Sequence, residues 1–219
     1  MIPKVAPSVL SSNFGNLNKE IQLINQSSAY SIHIDVMDGV FVPNISFGQP
    51  IVKTLSLISK KPLDIHLMIV NPLKFIDDFV FNNTLNITIH YESTNKIEET
   101  LDYIKSKNIK SGLAIKPNTT IDEIESFIKN VDVLCLMSVN PGFSGQNFIK
   151  KTFTRLKQLK KLIEKKRLST LIQVDGGVNN TNAKKLFDLG ADILVSGNYI
   201  FKSANPAKEI EYLNNLSKN

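Results

Sequence analysis

A single (β/α)8 barrel of the α/β class is what this 219-residue sequence predicts, and three observations predict it. Eight short runs rich in β-branched residues alternate with eight amphipathic stretches of helical spacing from end to end. No linker, low-complexity segment or charge block marks a second domain, so one domain over 1–219 is expected. The length suits the lower size range of the closed barrel, roughly 200 residues and upward. A doubly wound open sheet would more often carry a glycine-rich fingerprint after its first strand, and APSVLSSNFG is not one.

The units follow in order. The first strand is expected at 4–10 with its helix at 16–27, the second at 31–37 with 48–59, and the third at 63–70 with 72–82. Asn71-Pro72 opens that third helix, with proline at a position where no amide donor is needed. The fourth unit pairs 86–91 with 95–107, and the fifth pairs 111–116 with 120–129. Thr120 followed by Glu123 is a capping box for the latter helix. The last three units are 133–139 with 152–166, 171–175 with 180–188, and 193–196 with 206–216. Gly190 closes the seventh helix.

Composition bounds the function. The chain is 42% hydrophobic and 21% charged, enough for a sizeable core. No apolar run approaches the ~18 residues of a membrane span, so no membrane partner is expected. MIPKVAPSVLSS lacks the basic segment and apolar core of a signal peptide. Cys135 is the single cysteine, which excludes an internal disulfide framework and makes a reducing, cytoplasmic setting the expectation.

The net charge of +6 is concentrated in residues 150–167, where nine Lys/Arg accompany one Glu. Phe153, Leu156, Leu159 and Ile163 recur there at helical spacing, leaving the lysines on a solvated face. No aromatic interleaving or nucleic-acid motif accompanies the run, so no nucleic-acid partner is expected.

Polar residues fall where a barrel places its chemistry, at the C-terminal ends of strands. In the second strand His33, Asp35 and Met37 share one parity, and in the third Asp64, His66 and Met68 do. Ile34, Ile65 and Val174 assign the outward face, which packs on helices. His33, Asp35, His66 and Asp175 therefore converge on the interior near its top. Two imidazoles and two carboxylates from three strands suit one tetrahedral divalent ion, Zn2+ first, with Fe2+, Mn2+ and Co2+ also compatible. A hydrogen-bonded core network is the bland alternative. His90, without such companions, is read as structural. Met37, Met68 and Met137 also end strands on the inward face, either as adaptable packing or as a lining that keeps water from a reactive intermediate.

Three late loops carry the remaining signal. Gly142, Phe143, Ser144 and Gly145 follow the sixth strand, Gly176-Gly177 the seventh, and Gly197-Asn198 the eighth. Glycines let backbone amides approach an anion, and late loops are the usual phosphate site of such barrels. With no GK[ST] motif, a phosphorylated metabolite fits better than a nucleoside triphosphate.

The motifs APSVLSS, HIDVMDGVFVPN, DIHLM, MSVNPGFSGQ and VDGGV, in this order and extended through SGNYIF, resemble those of the ribulose-phosphate 3-epimerase family over nearly the whole chain. The resemblance implies a barrel of the ribulose-phosphate-binding type that interconverts D-ribulose 5-phosphate and D-xylulose 5-phosphate in the non-oxidative branch of the pentose phosphate pathway. It implies Asp35 and Asp175 as the acid/base pair, and His33, Asp35, His66 and Asp175 as ligands of one divalent ion. Ser8, His66 and Asp175 would meet the sugar. Phe143, Ser144, Gly176 and Asn198 would join the phosphate-holding Gly142, Gly145, Gly177 and Gly197. A phosphorylated ketopentose is thus the expected partner, and a homo-oligomer the expected assembly.

The chain departs from the family pattern in places. Ser144 stands where many relatives have Gly, Val40 where many have His, and Lys116-Pro117 where Asn-Pro is usual. The rivals are a 3-epimerase of D-allulose 6-phosphate, a lyase using Lys116, and a non-catalytic sugar-phosphate-binding barrel.

Overall fold

The computed structural model describes residues 4–216, so the first three and last three residues of the domain expected over 1–219 lie outside the described residues. Eight strands form one parallel sheet: β1 (Lys4–Pro7), β2 (Ile32–Met37), β3 (Leu63–Met68), β4 (Thr84–His90), β5 (Lys110–Ile115), β6 (Val133–Met137), β7 (Leu171–Asp175) and β8 (Ile193–Ser196). The ladder runs β1-β8-β7-β6-β5-β4-β3-β2, so the last strand returns to pair with the first. The remaining seam, between β1 and β2, is held by Tyr30 N–H donating to the Val5 carbonyl at 2.9 Å and by a bridge between Ser8 and His33. This is the barrel expected from the alternation.

The helices are α1 (Leu17–Asn25), α2 (Gln49–Ile58), α3 (Ile97–Ser106), α4 (Thr152–Lys166), α5 (Ala183–Asp188), α6 (Asn198–Phe201) and α7 (Pro206–Asn215). Ile34, Ile65 and Val174 face outward into one large apolar layer, which also holds Ile21 and Ile24 of α1, Val52 and Leu55 of α2, and Leu156 and Leu159 of α4. Burying each such side chain stabilises the fold by about 1.5–3 kcal/mol before chain entropy is counted. Parallel strands buried on both faces explain why all six residues of β2 are buried, its polar ones included.

Several boundaries differ from expectation. The first strand ends at Pro7 instead of residue 10, because β8 ends at Ser196 and Val9–Ser11 wind into a 3-10 turn. The third stops at Met68, and the Val70 amide donates to Asp38 Oδ2 instead of to a ladder. The crossovers after β3 and β5, expected as α-helices, are 3-10 segments at Pro72–Phe79, Asp122–Ile124 and Ile128–Asn130. These short connections wind with i→i+3 bonds such as Val80 N–H to Asp77 O. The Thr120–Glu123 box does form, Glu123 accepting from the Thr120 amide at 2.7 Å. The four-residue α6 was not anticipated.

The basic run forms α4, with Lys157, Lys161, Lys165 and Lys166 exposed as its periodicity requires. Arg155 is the exception. It is buried and donates to the carbonyls of Met137 at 3.2 Å and of Lys116 and Thr119 at 2.9 Å each. One guanidinium thus ties the exits of β5 and β6 together.

The barrel interior is tight at β4 and β5, where Thr88 lies opposite Gly112. A Cβ at Gly112 would sit 2.1 Å from Thr88 Oγ1 and 2.9 Å from Thr88 Cα. Gly112→Ala is expected to cost about 1–3 kcal/mol through this overpacking. The urea midpoint, at an unchanged slope, measures the loss; an unaltered midpoint would show that the wall yields.

Candidate active site

The β2–β3 register sets Asp35 beside His66, His33 beside Asp64, and Met37 beside Met68, all on the inward parity. Asp175 ends β7 opposite Met137. One ligand atom from each of His33, Asp35, His66 and Asp175 lies within 4.8 Å of the others. His33 Nε2 is 3.2 Å from Asp35 Oδ1 and 3.7 Å from Asp175 Oδ2. His66 Nδ1 is 3.2 and 3.5 Å from the same two oxygens. The two rings therefore present different nitrogens to one point.

His33 Nε2 is buried and has no hydrogen-bond partner among the described residues. Leaving such an atom unsatisfied is costly, and a cation at the shared point would satisfy it. The donor set, two imidazoles and two carboxylates, suits a borderline divalent ion. The residues fit the group.

Each candidate ligand is held by neighbouring groups. Ser8 Oγ donates to Asp35 Oδ2 at 2.6 Å, and Ser46 Oγ donates to the Asp35 carbonyl at 2.6 Å. The Asp175 carbonyl accepts from the Ser138 amide at 2.7 Å and its hydroxyl at 2.8 Å. Asp64 Oδ2 lies 2.8 Å from His33 Nδ1 and also accepts from Gln173 Nε2 at 2.5 Å. Its other oxygen accepts from Asn86 Nδ2 at 2.7 Å. His66 Nε2 meets His90 Nε2 at 3.0 Å, and His90 Nδ1 lies 3.2 Å from Glu92 Oε2.

The electrostatics follow from burial and neighbours. Burial raises the Asp35 carboxyl, but the charge of His33, with the hydrogen bond and charge of His66, outweighs it and holds the group well below the usual carboxylate range. Burial lowers His33, yet Asp64 and then Asp35 raise it well above its ordinary value. His66 moves up in the same way, against burial, through Asp175 and Asp35. Two imidazoles drawn toward their charged forms beside two carboxylates is the charge pattern that a dication replaces. His90 goes the other way: burial brings it to about 4, against the hydrogen bond it makes to Glu92.

A cavity of about 320 Å3 opens above this cluster, within the usual size for a small ligand. Asp35, Asp175, Met37, Met68 and Met137 line it, as does Ser8. Gly142, Phe143, Ser144 and Gly145 form one wall, with Gly176, Gly177, Gly197 and Asn198 beside them. His33 and His66 lie fully buried and are not among the lining residues.

Gly177 has φ of +62°, and a Cβ there would lie 2.8 Å from Phe148 N. Only glycine lets those two loops meet so closely. The loop after β2 also reaches this wall, Asn44 Nδ2 donating to the Gly142 carbonyl at 2.7 Å.

The sequence reading placed Asp64 on the inward face without a role, took His90 as structural, and did not reach Glu92 or Gln173; all four are joined to the candidate ligands by hydrogen bonds. Asp64 was visible as the same-parity neighbour of His66, while Glu92 follows His90 by two residues and could have supplied its companion. Lys116 Nζ sits 4.0 Å over the Phe41 ring and is not among the cavity-lining residues. Val40 is 74% exposed, away from the ligands.

The chain matches the family model described as the ribulose-phosphate 3 epimerase family over residues 4–201. It is 41% identical over 213 residues to a ribulose-phosphate 3-epimerase of Helicobacter pylori (strain J99 / ATCC 700824), covering 97% of each chain. It is 38% identical over 208 residues to the ribulose-phosphate 3-epimerase of Bacillus subtilis (strain 168), covering 94% of this chain and 96% of the relative. Among solved structures it is similar in fold to KGPDC from Streptococcus mutans, with a TM-score of 0.72, 15% identity and 100% and 98% of the two chains covered.

Proposed function

The chain belongs to the ribulose-phosphate 3-epimerase family, and from that premise we propose that it inverts C3 of D-ribulose 5-phosphate to give D-xylulose 5-phosphate by two-aspartate proton transfer. The observation that carries this reading is the placement of Asp35 and Asp175, from opposite parts of the chain, with ligand atoms within 4.8 Å of each other at the floor of the cavity.

The C3 proton is weakly acidic, and its removal leaves an ene-diolate. Inversion needs one carboxylate on each side of the carbon, one taking the proton and the other delivering one to the opposite face. Asp35 and Asp175 fill these roles and exchange them in the reverse direction. A divalent ion held by His33, Asp35, His66 and Asp175 would supply Lewis-acid stabilisation of the ene-diolate charge. Zinc is the first expectation, with Fe2+, Mn2+ or Co2+ as alternatives.

Ser8 keeps Asp35 Oδ2 engaged and so orients the other oxygen. Met37, Met68 and Met137 exclude water from the intermediate. The loops bearing Gly142, Phe143, Ser144 and Gly145, then Gly176 and Gly177, then Gly197 and Asn198 hold the phosphate through backbone amides. The reading includes a cytoplasmic homo-oligomer acting in the non-oxidative branch of the pentose phosphate pathway.

The test is turnover of D-ribulose 5-phosphate in D2O, followed by NMR. D-Xylulose 5-phosphate carrying deuterium at C3 is expected, with a much lower kcat/KM for D-allulose 6-phosphate. A preference for the hexose would move the assignment to that substrate, and no turnover of either would favour a binding barrel.

A further inference from the structure

His66 is joined to a chain of groups that are not among the cavity-lining residues and that the proposed reaction does not use. His66 Nε2 and His90 Nε2 are 3.0 Å apart, with the rings tilted by only 19° and their centroids 5.0 Å apart. Two imidazoles placed edge to edge in this way share a single proton, because two protons would clash and none would leave two lone pairs opposed. His90 Nδ1 faces Glu92 Oε2 at 3.2 Å. Both histidines are fully buried.

Glu92 is anchored in turn. Its Oε1 accepts from the Lys116 amide at 2.8 Å and from the Thr119 hydroxyl. The carbonyls of those same two residues are gripped by Arg155. Phe41 covers the His90 ring at 4.9 Å between centroids. The carboxylate therefore has a fixed place and one free oxygen, and that oxygen looks at His90.

With a cation at the shared point, proton bookkeeping along the chain has one solution; without it, His66 Nδ1 lies 3.2 Å from Asp35 Oδ1 and donates to that carboxylate instead. A carboxylate only accepts, so His90 Nδ1 carries the hydrogen. Neutral His90 then has a bare Nε2, which must accept, and His66 Nε2 must donate. That leaves His66 Nδ1 unprotonated, and this is the nitrogen aimed at Asp35 and Asp175. The geometry points to Glu92 and His90 as a positioning pair that fixes His66 in the tautomer able to bind a divalent cation through Nδ1. This rests on the metal reading of the site given above and extends it to residues beyond the four ligands. His33 reaches the complementary state more directly, because Asp64 holds its Nδ1 and frees Nε2. The two ligand rings are thus set to opposite nitrogens by two separate carboxylates, one in contact and one acting through a second imidazole.

Glu92→Gln tests the pair with almost no change of shape. The side-chain oxygen must still accept from Lys116 and Thr119, so the amide nitrogen is left facing His90 Nδ1 and donates to it. The proton order then reverses, and His66 carries its hydrogen on Nδ1. Zn2+ affinity, measured on the full chain by competition with a chromophoric chelator, is expected to fall about 10–100-fold. Histidine 15N shifts of the Zn2+-loaded proteins should show His90 protonated at Nδ1 in the wild type and at Nε2 in the variant. A merely structural role would lower thermal stability while leaving the tautomer and the affinity alone.

Wild-type affinity and an unchanged tautomer in Glu92→Gln would overturn the proposal and leave the metal reading standing. Failure of the wild type to bind Zn2+ would overturn both. Should the variant not fold, the spectrum of the Zn2+-loaded wild type decides alone: His90 protonated at Nε2 contradicts the assignment.

Discussion

Asp35→Asn and Asp175→Asn should each lower kcat for epimerisation by about 10^3-fold, within the range that positioned acid/base groups contribute. The change is nearly isosteric, so circular dichroism and the denaturation midpoint report whether the barrel survives. Both side chains are also proposed ligands, and turnover alone would not separate a lost proton carrier from a weakened metal site. Hydrogen exchange separates them. Each variant retains the other carboxylate, which still faces one side of C3. One variant should therefore wash deuterium into ribulose 5-phosphate and the other into xylulose 5-phosphate, with neither converting one sugar to the other. Wild-type turnover in either variant would refute the two-base scheme. Loss of exchange with both sugars in both variants would assign the defect to the metal site.

Stripping the protein with a strong chelator is the second large effect. Several kcal/mol of charge stabilisation should disappear, which corresponds to a loss of about 10^3-fold or more in turnover. Stability should fall as well, because an ion that binds only the folded state contributes about 4 kcal/mol at a thousand times its dissociation constant. Zn2+ or Co2+ added back at stoichiometric amounts should restore both turnover and Tm. Full activity in a preparation shown by elemental analysis to be metal-free would exclude the ion from the reaction. The orphaned Nε2 of His33 makes that outcome hard to reconcile with the site.

Periodicity of two made the candidate ligands legible before any coordinates. Ile34, Ile65 and Val174 had to face the helices, so His33, Asp35, His66 and Asp175 had to face inward, and they do. Strand order followed from the alternation with helices and the length. What stayed hidden depended on the third dimension. Arg155 sits in a lysine-rich run and reads as one more solvated cation, yet its guanidinium meets three carbonyls that only the closed barrel brings together. His90 looked isolated along its strand, because its partner His66 lies one strand away in the ladder. The 3-10 crossovers were missed because apolar spacing near three residues per turn cannot be told from 3.6 over so short a span.

The seam between the first and second strands is where the barrel's wall is thinnest, and Ser8 lies on it. Its backbone bridges to His33, while its hydroxyl grips Asp35. Any motion that parts the wall at this upper joint must first release a proposed base and loosen a proposed ligand. The protein therefore cannot gape at its weakest edge with its chemistry still assembled. One serine thus serves both as a stitch in the wall and as a hold on the carboxylate behind it.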